Sequence, residues 1–151
     1  MSQGEIPGYI LDASIAMKWY LDDEDHTSES DAILTAFREG QITLYAPDHI
    51  RYEVANALRN AVRRERIADA RGREALSEFL SWQIPTVGGD ALVRAGYEIA
   101  IRYSCALYDG LYLALAENTD LPLIHADLRL HNTLGRRFSA EVWIEDYVQK
   151  S

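Results

Sequence analysis

The sequence predicts an α/β fold built on a parallel sheet, and three observations carry that prediction. Short apolar runs recur along the chain, among them Tyr9-Ile-Leu11, Thr43-Leu-Tyr-Ala46 and Leu121-Pro-Leu-Ile-His-Ala126. Between them lie longer segments whose apolar residues fall at helical spacing, and Gly, Pro or Asp marks most of the joints. Strands that alternate with helices in this way form a sheet covered on both faces. With 151 residues and 48% hydrophobic content, the chain is the size of one domain with a core of its own.

Taken in order, Tyr9 to Leu11 is a strand ending at Asp12, and Ser14 to Leu21 has helical character with Asp12 or Ser14 as its N-cap. The acidic stretch Asp22 to Asp31 is a solvated loop or a helix start, and Ala32 to Glu39 is a helix closed by Gly40. Thr43 to Ala46 is a second strand. Pro47-Asp48 opens a long helix in which Ile50, Val54, Ala57, Leu58, Ala61 and Val62 keep helical spacing, with Glu53, Asn56 and Asn60 together on a bordering face. A helix from Asp69 carries Leu76, Phe79, Leu80 and Trp82. Ile84 to Val87 is a short strand, and Gly88-Gly89 precedes a helix from Asp90 to Tyr103. Tyr108 to Asn118 is a buried helix, Leu121 to Ala126 an interior strand, Leu128 to Leu134 a short helix stopped by Gly135, and Glu141 to Ile144 a last strand.

Four acids share one description. Asp12 ends the first strand, Glu53 lies inside a helix, Asp109 falls in a helix's first turn, and Asp127 follows a late strand. In an open α/β sheet such strand ends and helix starts converge on one edge, where ligands bind. Taken singly, each has an ordinary structural use: Asp12, Asp109 and Asp127 as helix caps, Glu53 as a partner for an Arg. Taken together they form an acidic cluster, which is costly without a cation because like charges raise one another's pKa. Oxygen ligands without Cys favour Mg2+ or Mn2+ over zinc. His125 lies two residues from Asp127, on the same side of an extended chain, and is a supporting candidate beside the site.

A net charge of -9 excludes wrapping nucleic acid with bulk positive charge, yet the charge is unevenly spread. Arg51, Arg59, Arg63, Arg64, Arg66, Arg71 and Arg73 lie in one segment, and Arg59, Arg63 and Arg64 are the candidates for phosphate contacts. The chain has no Walker loop, no dinucleotide-binding glycine fingerprint and no Gly-x-Ser-x-Gly elbow. A receiver domain needs a lysine after a late strand, and the two lysines are Lys18 and Lys150. A single cysteine, Cys105, no leader-like start and no apolar run of membrane-spanning length together predict a cytoplasmic protein with no membrane contact.

Four pieces then resemble a known family in order and spacing. They are Tyr9-Ile-Leu-Asp12-Ala-Ser14, Pro47 through Glu53-Val-Ala-Asn56-Ala-Leu, Tyr108-Asp109-Gly-Leu-Tyr-Leu-Ala-Leu-Ala, and Pro122-Leu-Ile-His125-Ala-Asp127. They are similar to PIN-domain ribonucleases, specifically the VapC-type toxins of toxin-antitoxin pairs. The resemblance implies a single PIN domain over residues 1–151, a three-layer α/β/α sandwich with a central five-stranded parallel sheet. It also implies Mg2+- or Mn2+-dependent cleavage of RNA, with Asp12, Glu53, Asp109 and Asp127 as catalytic and metal-holding acids. Ser14 matches the first motif's hydroxyl, and Asn56 a polar residue common one turn after the Glu. A homodimer and a cognate antitoxin, whose C-terminal segment enters the acidic groove, are implied as partners. His125 stands where the family usually has Thr, which removes any hydroxyl contact there. The alternative is a non-catalytic module of the same fold, whose acidic groove receives a basic peptide of a partner protein.

Overall fold

A computed structural model describes residues 4–147. Five strands, β1 (Gly8–Leu11), β2 (Thr43–Pro47), β3 (Thr86–Val87), β4 (Leu123–His125) and β5 (Glu141–Trp143), form one sheet in the order β3-β2-β1-β4-β5, and every pairing is parallel. The central strand is β1, whose Tyr9 registers with Leu44 on one side and whose Ile10 registers with Leu123 on the other. The chain leaves β1 in one direction to build β2 and β3 and returns on its other side for β4 and β5. The carboxyl ends of β1 and β4 therefore flank the point where strand order reverses, the place where such sheets open a crevice.

Among the described residues seven helices cover the sheet: α1 (Ala13–Met17), α2 (Thr27–Arg38), α3 (Ile50–Arg63), α4 (Asp69–Ser81), α5 (Asp90–Tyr103), α6 (Leu107–Thr119) and α7 (Leu128–Leu134). Side chains alternate across each strand and sort the helices into two layers. Leu11, Leu44, Ala46 and Ile124 pack with Ile15, Ile33, Val54, Leu58 and Phe79 of α1 to α4. Ile10 and Leu123 face the other way, onto Ile99, Leu113 and Leu130 of α5 to α7. The result is the three-layer sandwich expected, with α6 buried continuously from Gly110 to Ala116.

Several boundaries differ from the sequence reading, each for a local reason. α1 ends at Met17, after which Lys18, Trp19 and Tyr20 run in tight turns with each N–H bonded three residues back. α2 begins at Thr27 rather than Ala32, because His26 adopts a left-handed conformation (φ 60°) that breaks the chain just before it. The first strand pairs of β3 and β4 are trimmed by prolines, which lack an N–H. Pro85 and Pro122 still give their carbonyls, to the N–H groups of Ala46 and Ile10. β5 stops at Trp143 as Ile144–Asp146 turns into a 3-10 helix.

The α5–α6 contact brings backbone against backbone. A Cβ built on Gly110 would lie 2.4 Å from the Gly96 carbonyl oxygen, and one on Gly96 would lie 2.6 Å from Leu111 Cδ2. Since Gly110 follows Asp109, this contact sets the depth at which that acid is held. Gly110→Ala should cost about 1–3 kcal/mol in denaturant unfolding, and more than Gly96→Ala, because a leucine side chain can turn away where a backbone carbonyl cannot. A smaller loss for Gly110→Ala would mean that the two helices part easily.

Candidate active site

Asp12 leaves the end of β1 and caps α1, in extended backbone (φ -86°, ψ 150°). Its Oδ2 accepts the Ser14 N–H at 2.9 Å and the Ser14 hydroxyl. That hydroxyl accepts in turn from the Ala126 N–H at 2.9 Å, just beyond β4. Ser14 thus ties the ends of the two central strands together and fixes the carboxylate between them. Asp12 is only 7% exposed. Burial pushes its carboxyl up to about 6, against the two Ser14 hydrogen bonds and His125, which favour the anion, while Glu53 adds repulsion.

Asp127 caps α7, and its Oδ1 accepts the Leu130 N–H at 3.2 Å. Its own N–H donates to His125 Nδ1 at 3.2 Å. That bond leaves the proton of a neutral His125 on Nε2, 2.6 Å from Glu141 Oε1, and His131 Nδ1 lies 2.6 Å from the same oxygen. Trp143 stacks on His131, with ring centroids 4.6 Å apart. The wholly buried His125 is therefore a bracket between Asp127 and Glu141. Among the described residues, His125, His131 and Glu141 are the one triad of ligand-type side chains whose donor atoms all lie within 4.8 Å of one another. Each of its short contacts already has a proton to share, so hydrogen bonding satisfies it.

Glu53, in the first turn of α3, accepts the Tyr112 hydroxyl at 2.8 Å through Oε1. His49 Nε2 lies 2.8 Å from the same oxygen. It is off the line a hydrogen bond requires, and this buried nitrogen has no hydrogen-bond partner. The His49 ring sits between Tyr112 (centroids 4.8 Å, edge-on) and Tyr108 (5.2 Å, tilted by 32°). Asp109 lies in the first turn of α6, but Ala106 is the N-cap there and makes no side-chain cap bond, so the reading of Asp109 as a helix cap does not hold. Among the described residues its one side-chain partner is the exposed Arg129, at 3.5 Å. Burial pushes Asp109 up to about 6; repulsion from Asp127 and then Glu53 adds to this, and Arg129 and His49 oppose it.

The four sequence-selected acids therefore act on one another in one cluster: Asp12 with Glu53, and Asp109 with both Asp127 and Glu53. Ser14 and His125 each touch one of the acids or its backbone. Asn56 is exposed on α3 and shows no side-chain hydrogen bond among the described residues. The sequence reading missed His49 and Tyr112. Their signal was present: His49 lies four residues before Glu53, and Tyr112 three after Asp109, each on the acid's own helical face.

The Arg-rich segment divides in two. Arg51 faces Asp48, Arg66 binds Asp23 and Glu24, Arg71 faces Glu74 and Arg73 binds Asp69. Arg59, Arg63 and Arg64 are exposed on or just after α3 and pair with no carboxylate among the described residues. Arg59 also lines an open groove of about 390 Å³ between α3 and α4, with Val62, Gly72, Arg73 and Leu76.

Fold and cleft together define a class. Residues 9–134 match the PIN domain model, and the chain belongs to the PIN domain family, on its VapC-type ribonuclease side. It is similar to Ribonuclease VapC12 of Mycobacterium tuberculosis, 32% identical over 133 residues that cover 88% of this chain and 97% of that protein. Ribonuclease VapC9 of the same organism is 33% identical over 127 residues, 82% of this chain and 89% of its own. The crystal structure of PAE2754 from Pyrobaculum aerophilum shares the fold, with a TM-score of 0.67 at 20% identity over 93% of each chain.

The raised carboxyls carry a sign that can be tested. Folded Asp12 and Asp109 hold protons up to about 6, whereas the unperturbed value is 3.8. The folded state thus binds more protons between those pH values, and its added stability is present below that window and lost as pH rises through about 6. In chelator, the melting temperature should rise as pH is lowered from 7.5 to 5.5, and Asp109→Asn should flatten the rise. Differential scanning calorimetry would contradict this if wild-type stability fell over that interval.

Proposed function

We propose that Asp12, Glu53, Asp109 and Asp127 are the catalytic acids of a metal-dependent endoribonuclease that acts as the toxin of a toxin-antitoxin pair. One observation carries the reading: four mutually repelling carboxylates meet at the strand-order reversal of a PIN fold, each steadied by a donor that is not an acid. As a single PIN domain, residues 1–151 would hold all of this machinery.

The donor set fits Mg2+ or Mn2+. All four groups offer hard carboxylate oxygens, and burial together with like charge leaves two of them raised to about 6, a cost that a cation removes. Asp12 and Asp109 are the first choice as direct ligands, with Glu53 and Asp127 completing the set. When bound, the ion supplies positive charge to the scissile phosphate and favours an ionised water. The chain's own groups do the orienting. Ser14 fixes Asp12, the Tyr112 hydroxyl occupies one oxygen of Glu53, and the Leu130 N–H holds one oxygen of Asp127. In-line attack then yields 5'-phosphate and 3'-hydroxyl ends, as the family resemblance implies.

RNA would approach along α3. Arg59, Arg63 and Arg64 lie six to eleven residues beyond Glu53, about 9–16 Å along a helix, and pair with no carboxylate among the described residues, so they offer a net acidic protein its local phosphate surface. An antitoxin segment would enter the same cleft. A homodimer is supported by Val93, Tyr97 and Ile101, exposed four residues apart on α5 as an apolar stripe. No described helix is long and apolar enough to cross a membrane; a cytoplasmic site of action is proposed from the toxin reading. Membership among ribonucleases, with all four acids present, favours the enzyme over a non-catalytic peptide-binding module.

Asp109→Asn should abolish metal-dependent cleavage of a cellular RNA pool while the protein stays folded. The change gives up only an exposed ion pair with Arg129, worth about 0–1 kcal/mol, and relieves a buried repulsion, so melting in chelator should be unchanged or raised. Retained cleavage would remove Asp109 from the chemistry. Titration calorimetry should show weak Mn2+ binding that Asp12→Asn diminishes; equal binding to the variant would place the ion elsewhere.

Arg63→Glu combined with Arg64→Glu should weaken RNA binding at low salt and leave Mn2+ binding intact. Wild-type RNA affinity in that double variant would exclude this face of α3 as the approach.

A further inference from the structure

We infer that Tyr108 is a stacking platform for an unpaired RNA base next to the scissile phosphate. This rests on the ribonuclease reading above and adds to it a substrate-positioning residue. The exposed large hydrophobic residues of this protein are not scattered evenly. Tyr52 precedes Glu53, Tyr108 precedes Asp109 and Leu128 follows Asp127, and they are 71%, 58% and 60% exposed. Three of the four acids thus have an apolar residue in water as an immediate neighbour, which burial of a core does not explain.

Among these, Tyr108 is part of a built structure. Tyr112, almost wholly buried, meets the His49 ring edge-on at 4.8 Å, and His49 meets Tyr108 at 5.2 Å with a tilt of 32°. The three rings form a chain of contacts, edge-on between Tyr112 and His49 and a tilted stack between His49 and Tyr108, that begins in the core and ends in solvent beside Asp109. His49 is largely buried and flanked by Glu53, whose Oε1 lies 2.8 Å from its Nε2 without a hydrogen bond. One side of Tyr108 is therefore backed by a fixed ring, and more than half of the residue remains open. A flat ring continues such a stack, and every nucleobase has one, whereas a paired base keeps its faces inside a helix. With a phosphodiester at the acids, an adjacent base lies within one nucleotide of this rim. Arg59, Arg63 and Arg64 supply charge for phosphates further along α3. The platform would thus restrict cleavage to unpaired RNA without reading base identity through hydrogen bonds.

The test uses the full chain. Cleavage of single-stranded RNA with Mg2+ gives KM and kcat, and anisotropy of a labelled RNA in chelator gives affinity without turnover. Tyr108→Phe keeps the ring and should behave as wild type in both assays. Tyr108→Leu keeps bulk at an exposed site and should raise KM and Kd by roughly fivefold to a hundredfold, the range for losing one stacked base, with kcat changed much less. An abasic nucleotide at one position beside the mapped cleavage site should cost wild type a similar factor and cost Tyr108→Leu almost nothing further, since both remove the same stack. If wild type cleaves RNA and Tyr108→Leu matches it in KM and Kd, the platform is overturned while the ribonuclease reading stands. The platform is equally overturned if Tyr108→Leu weakens only a protein partner's binding. A wild type that cleaves no RNA with either metal overturns the ribonuclease reading, and this inference with it.

Discussion

Holding carboxylates beside one another, away from water, is the constraint to which the rest of this structure answers. Burial raises both Asp12 and Asp109 to about 6, and repulsion from neighbouring acids adds to each shift. A carboxylate pair in that state would separate unless the surroundings held it. Here each acid has its own support from a different element: Ser14 for Asp12, Tyr112 for Glu53, the α7 N-terminus for Asp127, and Arg129 for Asp109. The supports differ in rigidity. Ser14 is itself pinned to the Ala126 N–H, whereas Arg129 is a long side chain in solvent. Asp109 depends more on its backbone, which the close Gly96–Gly110 contact fixes against α5.

That difference explains which parts could be read from the sequence. The parallel sheet, the two helical layers and the four acids were legible, because strand ends and helix starts are marked locally by Asp12, Pro47-Asp48, Tyr108-Asp109 and Asp127, and because the PIN pattern spans the chain. Strand lengths were less so. A proline keeps its carbonyl in the ladder but loses its N–H, so β3 and β4 pair through Pro85 and Pro122 while their regular portions begin later. Helical spacing places His49 beside Glu53 and Tyr112 beside Asp109, but the pairing of Tyr112 with Glu53 was not legible, since it joins α3 to α6 across 59 residues. The same holds for the division of the arginines. Arg66 is neutralised by Asp23 and Glu24, more than forty residues away, and no local pattern tells it apart from Arg63 or Arg64.

His125 shows how a departure from the family pattern can be absorbed. The resemblance expects a threonine hydroxyl at this position. The imidazole accepts the Asp127 N–H through Nδ1, so it still meets the backbone of the last acid. Its second nitrogen needs an acceptor in the core, and Glu141, from the neighbouring strand, provides one while also taking His131. A buried ring nitrogen without a partner would be costly. The substitution therefore brings β5 into the support of the cleft, a role that the edge strand does not otherwise have.

The charge distribution follows from the same constraint. A protein of net charge -9 must bring a polyanion to its most negative surface. Uniform positive charge would collapse onto the acids and neutralise the cleft, and uniform negative charge would repel RNA beyond the screening distance. This chain separates the two along one helix. Glu53 stands at the start of α3, and Arg59, Arg63 and Arg64 follow through its last turns and its C-cap, pairing with no carboxylate among the described residues. The nearer cation, Arg129, reaches Asp109 only at 3.5 Å and from solvent, close enough to lower the repulsion yet exposed enough to be displaced. The acidic cluster and the proposed approach surface would thus keep opposite charges without cancelling, with α3 as the rigid spacer between them.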